Sequence, residues 1–105
     1  MKKRVLRMSS GEETRTNKEG KNVKVRDEGY AYRQALATRR MLAKGNVRME
    51  ALNDKAKASL LDTLANLQQM IKAEGKDMVV TIYMAPVRIR QRNIMGTIAE
   101  VSIGG

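Results

Sequence analysis

The sequence predicts an α+β fold in which two helices pack on a small antiparallel β-sheet or ribbon. Apolar residues recur at helical spacing over residues 28–44 and again over about 49–73. From Met78 to about residue 103 the spacing changes to two, which is typical of strands. A chain of 105 residues can form one small domain with a thin core. We therefore expect two helices followed by the sheet, within a single domain over residues 27–105.

Residues 1–26 predict a basic N-terminal arm or a β-hairpin in front of that domain. Residues 4–8 and 23–26 are candidate strands that could pair with each other. The intervening residues 9–22 contain no apolar side chain and many turn formers, which indicates a flexible loop or a disordered arm.

The first helix is predicted to begin after Asp27, which can cap it, and to end at Gly45. On its polar side Arg33, Arg40 and Lys44 fall within about 40° of one another at helical spacing. Such a face can approach a phosphate backbone closely. A solvated basic face explains the same pattern equally well.

The second helix is predicted from one apolar stripe of eight residues: Met49, Leu52, Ala56, Leu60, Leu64, Leu67, Met70 and Ile71. Leu61 lies off this stripe. Packing of Leu61 on the first helix is the favoured interpretation, and a contact between two copies of the chain is the alternative.

The predicted sheet begins with a buried strand over residues 78–84, after which Pro86 marks a bulge, an edge or a strand start. Residues 87–92 then alternate, which predicts Arg88, Arg90 and Arg92 on one face. A turn over residues 93–96 and a returning strand over 97–103 complete the sheet. Helical continuation through residues 94–101 is an open alternative.

The charge distribution points to a polyanionic partner. The net charge is +10, and residues 1–48 hold +9 of it, from fourteen Lys and Arg against five Asp and Glu. This one-sided excess is larger than solubility requires. Three tyrosines are the only aromatic residues, whereas single-strand binders rely on several stacking rings. Duplex nucleic acid is therefore favoured over single strands.

The composition argues against several other classes of function. With no Cys and no His, the chain has no thiolate nucleophile, no zinc-finger-type site and no imidazole base. Phosphate-binding and nucleophile motifs are also missing. Glu50 and Asp54, four residues apart on the predicted helix, are better explained as a surface pair than as a magnesium site. We expect no enzyme, no catalytic residue, no metal site and no cofactor.

The location expected from the sequence is the cytoplasm, or the nucleoid if DNA is bound. No Cys is present, the start Met1-Lys2-Lys3-Arg4 does not lead into a signal peptide, and no apolar run is long enough to span a membrane. The basic helix lacks the bulky apolar face that binding to an anionic membrane surface requires.

The order of elements resembles the histone-like HU/IHF family. The resemblance covers roughly residues 30–103. It rests on the helical residues 57–64, on the Gly75 turn into Val79-Val80-Thr81-Ile82, and on Arg92-Asn93 followed by Gly96. The last motif is similar to the tip of the family's DNA-embracing arm, with Ile94 at the place of the wedge proline. The Gly-Phe-Gly turn and the last helix of the family have no counterpart. The resemblance implies a dimeric DNA-bending protein of low sequence specificity.

Together these observations predict a double-stranded-DNA-binding protein, architectural or regulatory, that forms a homodimer. RNA is a possible alternative ligand. The expected contacts are the strand residues Arg88, Arg90, Arg92 and Asn93, the helix residues Arg33, Arg40 and Lys44, and the N-terminal Lys2, Lys3 and Arg4. Two alternatives remain open. One is a basic regulator that docks on an acidic protein such as a polymerase or nuclease, and the other is an assembly subunit with a basic arm.

Overall fold

The fold is described from a computed structural model of the chain, which describes residues 4–104. Eight elements follow one another along the chain: β1 (Arg4–Arg7), β2 (Glu12–Thr16), β3 (Asn22–Arg26), α1 (Tyr30–Leu42), β4 (Val47–Ala51), α2 (Asp54–Ala73), β5 (Asp77–Ile89) and β6 (Arg92–Gly104). The α+β class and the two helices are confirmed.

The main sheet has four strands in the order β1-β4-β6-β5. It is mixed rather than antiparallel as predicted, because β1 pairs with β4 in parallel, with Leu6 opposite Met49. β4 and β5 both pair with β6 antiparallel. The N-terminal strand therefore belongs to the main sheet, and it does not pair with residues 23–26.

Both helices pack on one face of this sheet. The core joins Leu60, Leu67 and Ile71 of α2 to Met49 of β4 and Val101 of β6, all of which are almost fully buried. α1 adds Ala35 and Leu42. Because side chains alternate along strands, the neighbouring positions of β4 and β6 point to the other face, where Ile98 and Glu50 are also buried. We call this second face, on the side away from the helices, the open face.

The second helix begins at Asp54, so the predicted start near residue 49 is wrong. Residues 47–51 form β4, in which Met49 lies at the centre of the core. Asn53 is the residue that starts α2, because its side-chain oxygen accepts a hydrogen bond of 2.8 Å from the backbone N–H of Ala56. At α1 the expected cap Asp27 lies before the helix instead, where it accepts from the N–H of Gly29 at 3.1 Å.

β2 and β3 form a separate two-stranded hairpin where a flexible loop was expected. Its turn is held by the Asn17 side chain, which accepts from the N–H groups of Glu19 and Lys21 at 3.0 and 2.9 Å. No apolar pattern marks β2 because its side chains are exposed or only half-buried.

The base of this hairpin is fixed to the helices. The Ser59 hydroxyl of α2 donates to the Ser10 carbonyl at 3.0 Å, and Lys55 pairs with Glu12 at 2.9 Å. Gly11 lies between them with φ +72°, and a Cβ there would stand 2.9 Å from the Ser59 hydroxyl. The hairpin is therefore a docked part of the domain.

β5 and β6 are thirteen residues each and are joined by a two-residue turn at Arg90 and Gln91. The turn predicted over residues 93–96 is wrong, since these residues lie in β6 opposite 85–88. The alternative of helical continuation through residues 94–101 is excluded by the same pairing. Pro86 lies in β5, which is the edge strand of the sheet. An edge was one of the three positions predicted for it.

Candidate nucleic-acid interface

The far end of the β5–β6 hairpin projects beyond the rest of the sheet. β4 accompanies β6 only as far as the pair Ala51–Thr97. Past that point residues 85–89 and 92–96 form a two-stranded ribbon with no third strand, roughly 17 Å long at about 3.4 Å per residue. We call residues 85–96 the arginine ribbon, since they carry Arg88, Arg90 and Arg92.

The three arginines point in three directions, which corrects the prediction that they share one face. Arg88 lies opposite Asn93 on the helix side of the hairpin, and Arg92 lies opposite Ile89 on the other side. Arg90 lies in the turn between the strands. The alternation in the sequence runs across the chain reversal, so it does not describe a single strand.

All three guanidinium groups are free to meet a ligand. Arg88, Arg90 and Arg92 are exposed, and none forms an ion pair with another residue in the range 4–104. From Met78 to Ala99 the sequence has no Asp or Glu. The Nε of Arg88 donates to the Arg90 carbonyl at 3.3 Å, which links the strand to the tip.

Arg90 has φ +55°, the left-handed region that arginine rarely adopts. Gly or Asn would occupy this turn position at less conformational cost. The tip thus holds a cation where the backbone favours another residue type. Such departures from local preference cluster at functional sites.

Small apolar contacts fix the base of the arginine ribbon to the domain. Val87 is buried although it lies outside the main core. A Cβ placed on Gly96 would stand 3.0 Å from the Val87 side chain and 3.1 Å from Leu52. Glycine therefore permits a close approach that orients the ribbon relative to β4 and α2.

The helix trio is not brought to the ribbon. Arg33 is engaged by Asp27, and the bound guanidinium lowers the pKa of that carboxyl group below its ordinary value. Arg40 and Lys44 are exposed near the start of β4, where Val47 pairs with Val101. Nine residues of β6 separate Val101 from Arg92, or about 30 Å. These two cations lie at the opposite end of the sheet.

The N-terminal cations are not brought to the ribbon either, as far as the described residues extend. Arg4 is exposed in β1 opposite Val47, also away from the ribbon, whereas Lys2 and Lys3 lie outside the described residues. A group that the prediction missed is Lys18, Lys21 and Lys24 of the β2–β3 hairpin, all exposed and without an ion pair in the described part of the chain. The lack of apolar alternation in β2 concealed the hairpin that presents them.

Glu50 and Asp54 do not form the helical pair that was considered for magnesium. Glu50 is a buried residue of β4 whose two oxygens bind Arg7 at 2.9 Å and Arg48 at 3.0 Å on the open face of the sheet. Its lone pairs are used by these arginines. Within residues 4–104 no group of three Asp or Glu side chains is placed to hold a metal ion.

Neither helix of the described chain is long and apolar enough to cross a membrane. No family model matches the sequence, and no curated protein matches it.

Proposed function

We propose that the protein binds double-stranded nucleic acid, DNA in the first place, through the arginine ribbon and with low sequence specificity. The observation that carries the proposal is a ribbon of only two strands with three exposed arginines that form no ion pair in the described chain, and with no Asp or Glu between Met78 and Ala99. Guanidinium groups bind phosphate oxygens in bidentate fashion and release condensed counterions.

The three directions of the arginines favour insertion into a groove. A two-stranded ribbon fits the major groove of B-DNA, whose two walls are phosphate backbones. Arg88 and Arg92 lie on opposite faces of the ribbon, so each is placed to reach one wall while Arg90 enters between them. A ligand with a flat surface would contact only one face of the ribbon, and therefore only one of these two arginines. Asn93 beside Arg88 adds a polar group that can donate to a base edge or a phosphate.

The matched test compares two variants with the same loss of charge. One replaces Arg88, Arg90 and Arg92 by Gln, and the other replaces Lys18, Lys21 and Lys24 by Gln; both reduce the net charge from +10 to +7. Affinity for a random duplex is measured by fluorescence anisotropy across a salt series. Each lost phosphate contact reduces the slope of log K against log salt by about 0.9.

We expect the ribbon variant to lose about 2.7 from this slope, because all three of its contacts disappear. The hairpin variant is expected to change the slope by less than about 1. Equal effects of the two variants would show that binding follows total charge, and the ribbon would then have no special role. A wild-type chain that fails to bind duplex at low salt would refute the proposal.

The same assay distinguishes the ligand class. Matched single-stranded DNA is expected to bind more weakly, since only three tyrosines are available for stacking. Duplex RNA is also expected to bind more weakly, since its deep major groove does not admit a ribbon. A preference for either ligand over duplex DNA would contradict groove insertion.

A further inference from the structure

Residues 78–85 of β5 form a free edge that has none of the usual protection against pairing. β5 is an edge strand, and residues 78–85 contain no charge, no Pro and no Gly. Edge strands normally carry Lys, Pro or a bulge because their open N–H and C=O groups pair readily with another strand. Apolar side chains accompany these groups, with Ile82 50% and Met84 65% exposed. The open N–H and C=O groups of this edge are therefore available to pair with another strand.

The register of the hairpin shows which backbone groups face outward. The two-residue turn closes on the pair Ile89–Arg92, and antiparallel pairs alternate between those that exchange hydrogen bonds and those that do not. Pro86, which has no N–H, then falls in a pair that exchanges none. The even-numbered residues from Met78 to Met84 accordingly direct their N–H and C=O groups to the free edge.

We propose that this edge pairs with β5 of a second copy of the chain, antiparallel about a two-fold axis at Thr81. This register places Thr81 opposite its own symmetry mate. Val80 then meets Ile82, Met78 meets Met84, and Val79 meets Tyr83. Apolar side chains adjoin apolar ones on the helix side, and a Thr–Thr pair flanked by β-branched–aromatic pairs forms on the open side. These are favourable cross-strand pairs.

The ends of the segment fit this register and exclude the neighbouring one centred on Ile82. Residues 77–85 of the two strands pair, and Pro86 lies just beyond the last pair, where no hydrogen bond is required. A two-fold axis at Ile82 would place Pro86 opposite Met78, whose carbonyl would lose its donor. The Thr81 register thus keeps Pro86 outside the paired segment.

Charge also favours a second copy as the occupant. Asp77 is the only charged residue in the paired segment, so two chains of net charge +10 meet through a seam that contains no cation. Antiparallel pairing sends the two arginine ribbons to opposite ends, which minimises their repulsion.

Leu61 of α2 was expected to pack on α1. It is instead 47% exposed and lies outside the core.

The absence of Cys from the sequence permits a direct test of the register. In the proposed register the two Thr81 residues form a pair without hydrogen bonds, with Cα atoms about 4.5 Å apart. Disulfides require roughly 4.4 to 6.8 Å. Thr81→Cys should therefore form a covalent dimer under mild oxidation. In the control Val79→Cys, on the same face of the same strand, the two thiols are offset by roughly 13 Å and should not cross-link.

Sedimentation equilibrium of the full chain tests the dimer itself. The wild type is expected at twice the mass of one chain. Met84→Lys, inside the seam, is expected to weaken dimerisation at least about a hundredfold, about tenfold for each of its two copies. Met95→Lys is the matched control, because Met95 is 58% exposed on the same side of the hairpin but outside the seam, and it should leave the dimer unchanged.

Circular dichroism confirms that each variant remains folded. A wild type that stays at single-chain mass at every accessible concentration would overturn the proposal, as would equal cross-linking of Thr81→Cys and Val79→Cys. These outcomes do not depend on nucleic-acid binding, which a monomeric ribbon can also perform.

Discussion

Arg90 combines an exposed cation with an unfavourable backbone conformation. Its φ of +55° places an arginine side chain in the left-handed region, which costs a non-glycine residue about 1 to 2 kcal/mol. No other non-glycine residue between residues 4 and 104 has a positive φ. The tip of the ribbon is therefore the point at which the described chain departs furthest from local backbone preference.

We predict that Arg90→Gly raises the free energy of unfolding by about 1 kcal/mol and weakens duplex binding. Glycine relieves the left-handed backbone and removes one cation. Urea denaturation and anisotropy measure the two effects. The control Arg92→Gly removes the same charge from a strand position and should lower stability, because glycine weakens strands. If Arg90→Gly is no more stable than the wild type, the tip is not strained.

At the level of elements, α1 is joined to the end of α2 by one bidentate ion pair. The Nε of Arg39 donates to Glu74 at 2.6 Å, and Arg39 Nη2 binds the other carboxylate oxygen. The guanidinium lowers the pKa of Glu74 below its ordinary 4.5, and the carboxylate raises the pKa of Arg39. Since the pKa of Glu74 is lower in the folded state, the pair stabilises fully above pH 4.5 and is lost as pH falls further.

We predict that Glu74→Gln lowers stability at neutral pH and makes stability fall less steeply below pH 4.5. The measurement is the urea midpoint as a function of pH. Glu19→Gln is the control, because Glu19 is exposed in the hairpin turn without an ion pair in the described residues. Parallel pH profiles for wild type and Glu74→Gln would contradict the role assigned to the pair.

The elements also show what sequence patterns convey and what they omit. The range of α1 was predicted to within two residues, since its apolar face is uninterrupted and Gly45 follows it. β4 was missed because Met49, Leu52 and Ala56 keep helical spacing across a strand and a cap. Only Asn53 marks the true start of α2.

The sequence singled out the arginines of the candidate site, but it did not predict the directions in which they point. Arg88, Arg90 and Arg92 were singled out, yet their turn contains no Gly, Asn or Asp to reveal the chain reversal. The parallel pairing of β1 with β4 joins residues more than forty positions apart, and local patterns carry no information about such pairing. Charge spacing identifies candidate ligand-binding residues, whereas strand register decides where they point.

At the scale of the whole molecule, the strand lengths fix the distance between the two ribbon tips of the proposed dimer. From Thr81 to Arg90 is nine residues, so in the two-fold dimer the ribbon tips are separated by about eighteen residues of strand, or about 60 Å. A single duplex meets both tips only when its length spans that separation. At about 3.4 Å per base pair this requires about 18 base pairs.

We predict that wild-type affinity rises steeply as the duplex is lengthened past about 18 base pairs, because the second ribbon then binds at high effective concentration. Met84→Lys, which disrupts the seam, should lose this step and show only the gradual rise due to added binding positions. Met95→Lys adds the same charge within the arginine ribbon itself, so it should raise affinity at every length and keep the step. Anisotropy titrations over a series of duplex lengths measure it. A step that survives in Met84→Lys would place both contacts on one chain and contradict the two-ribbon geometry.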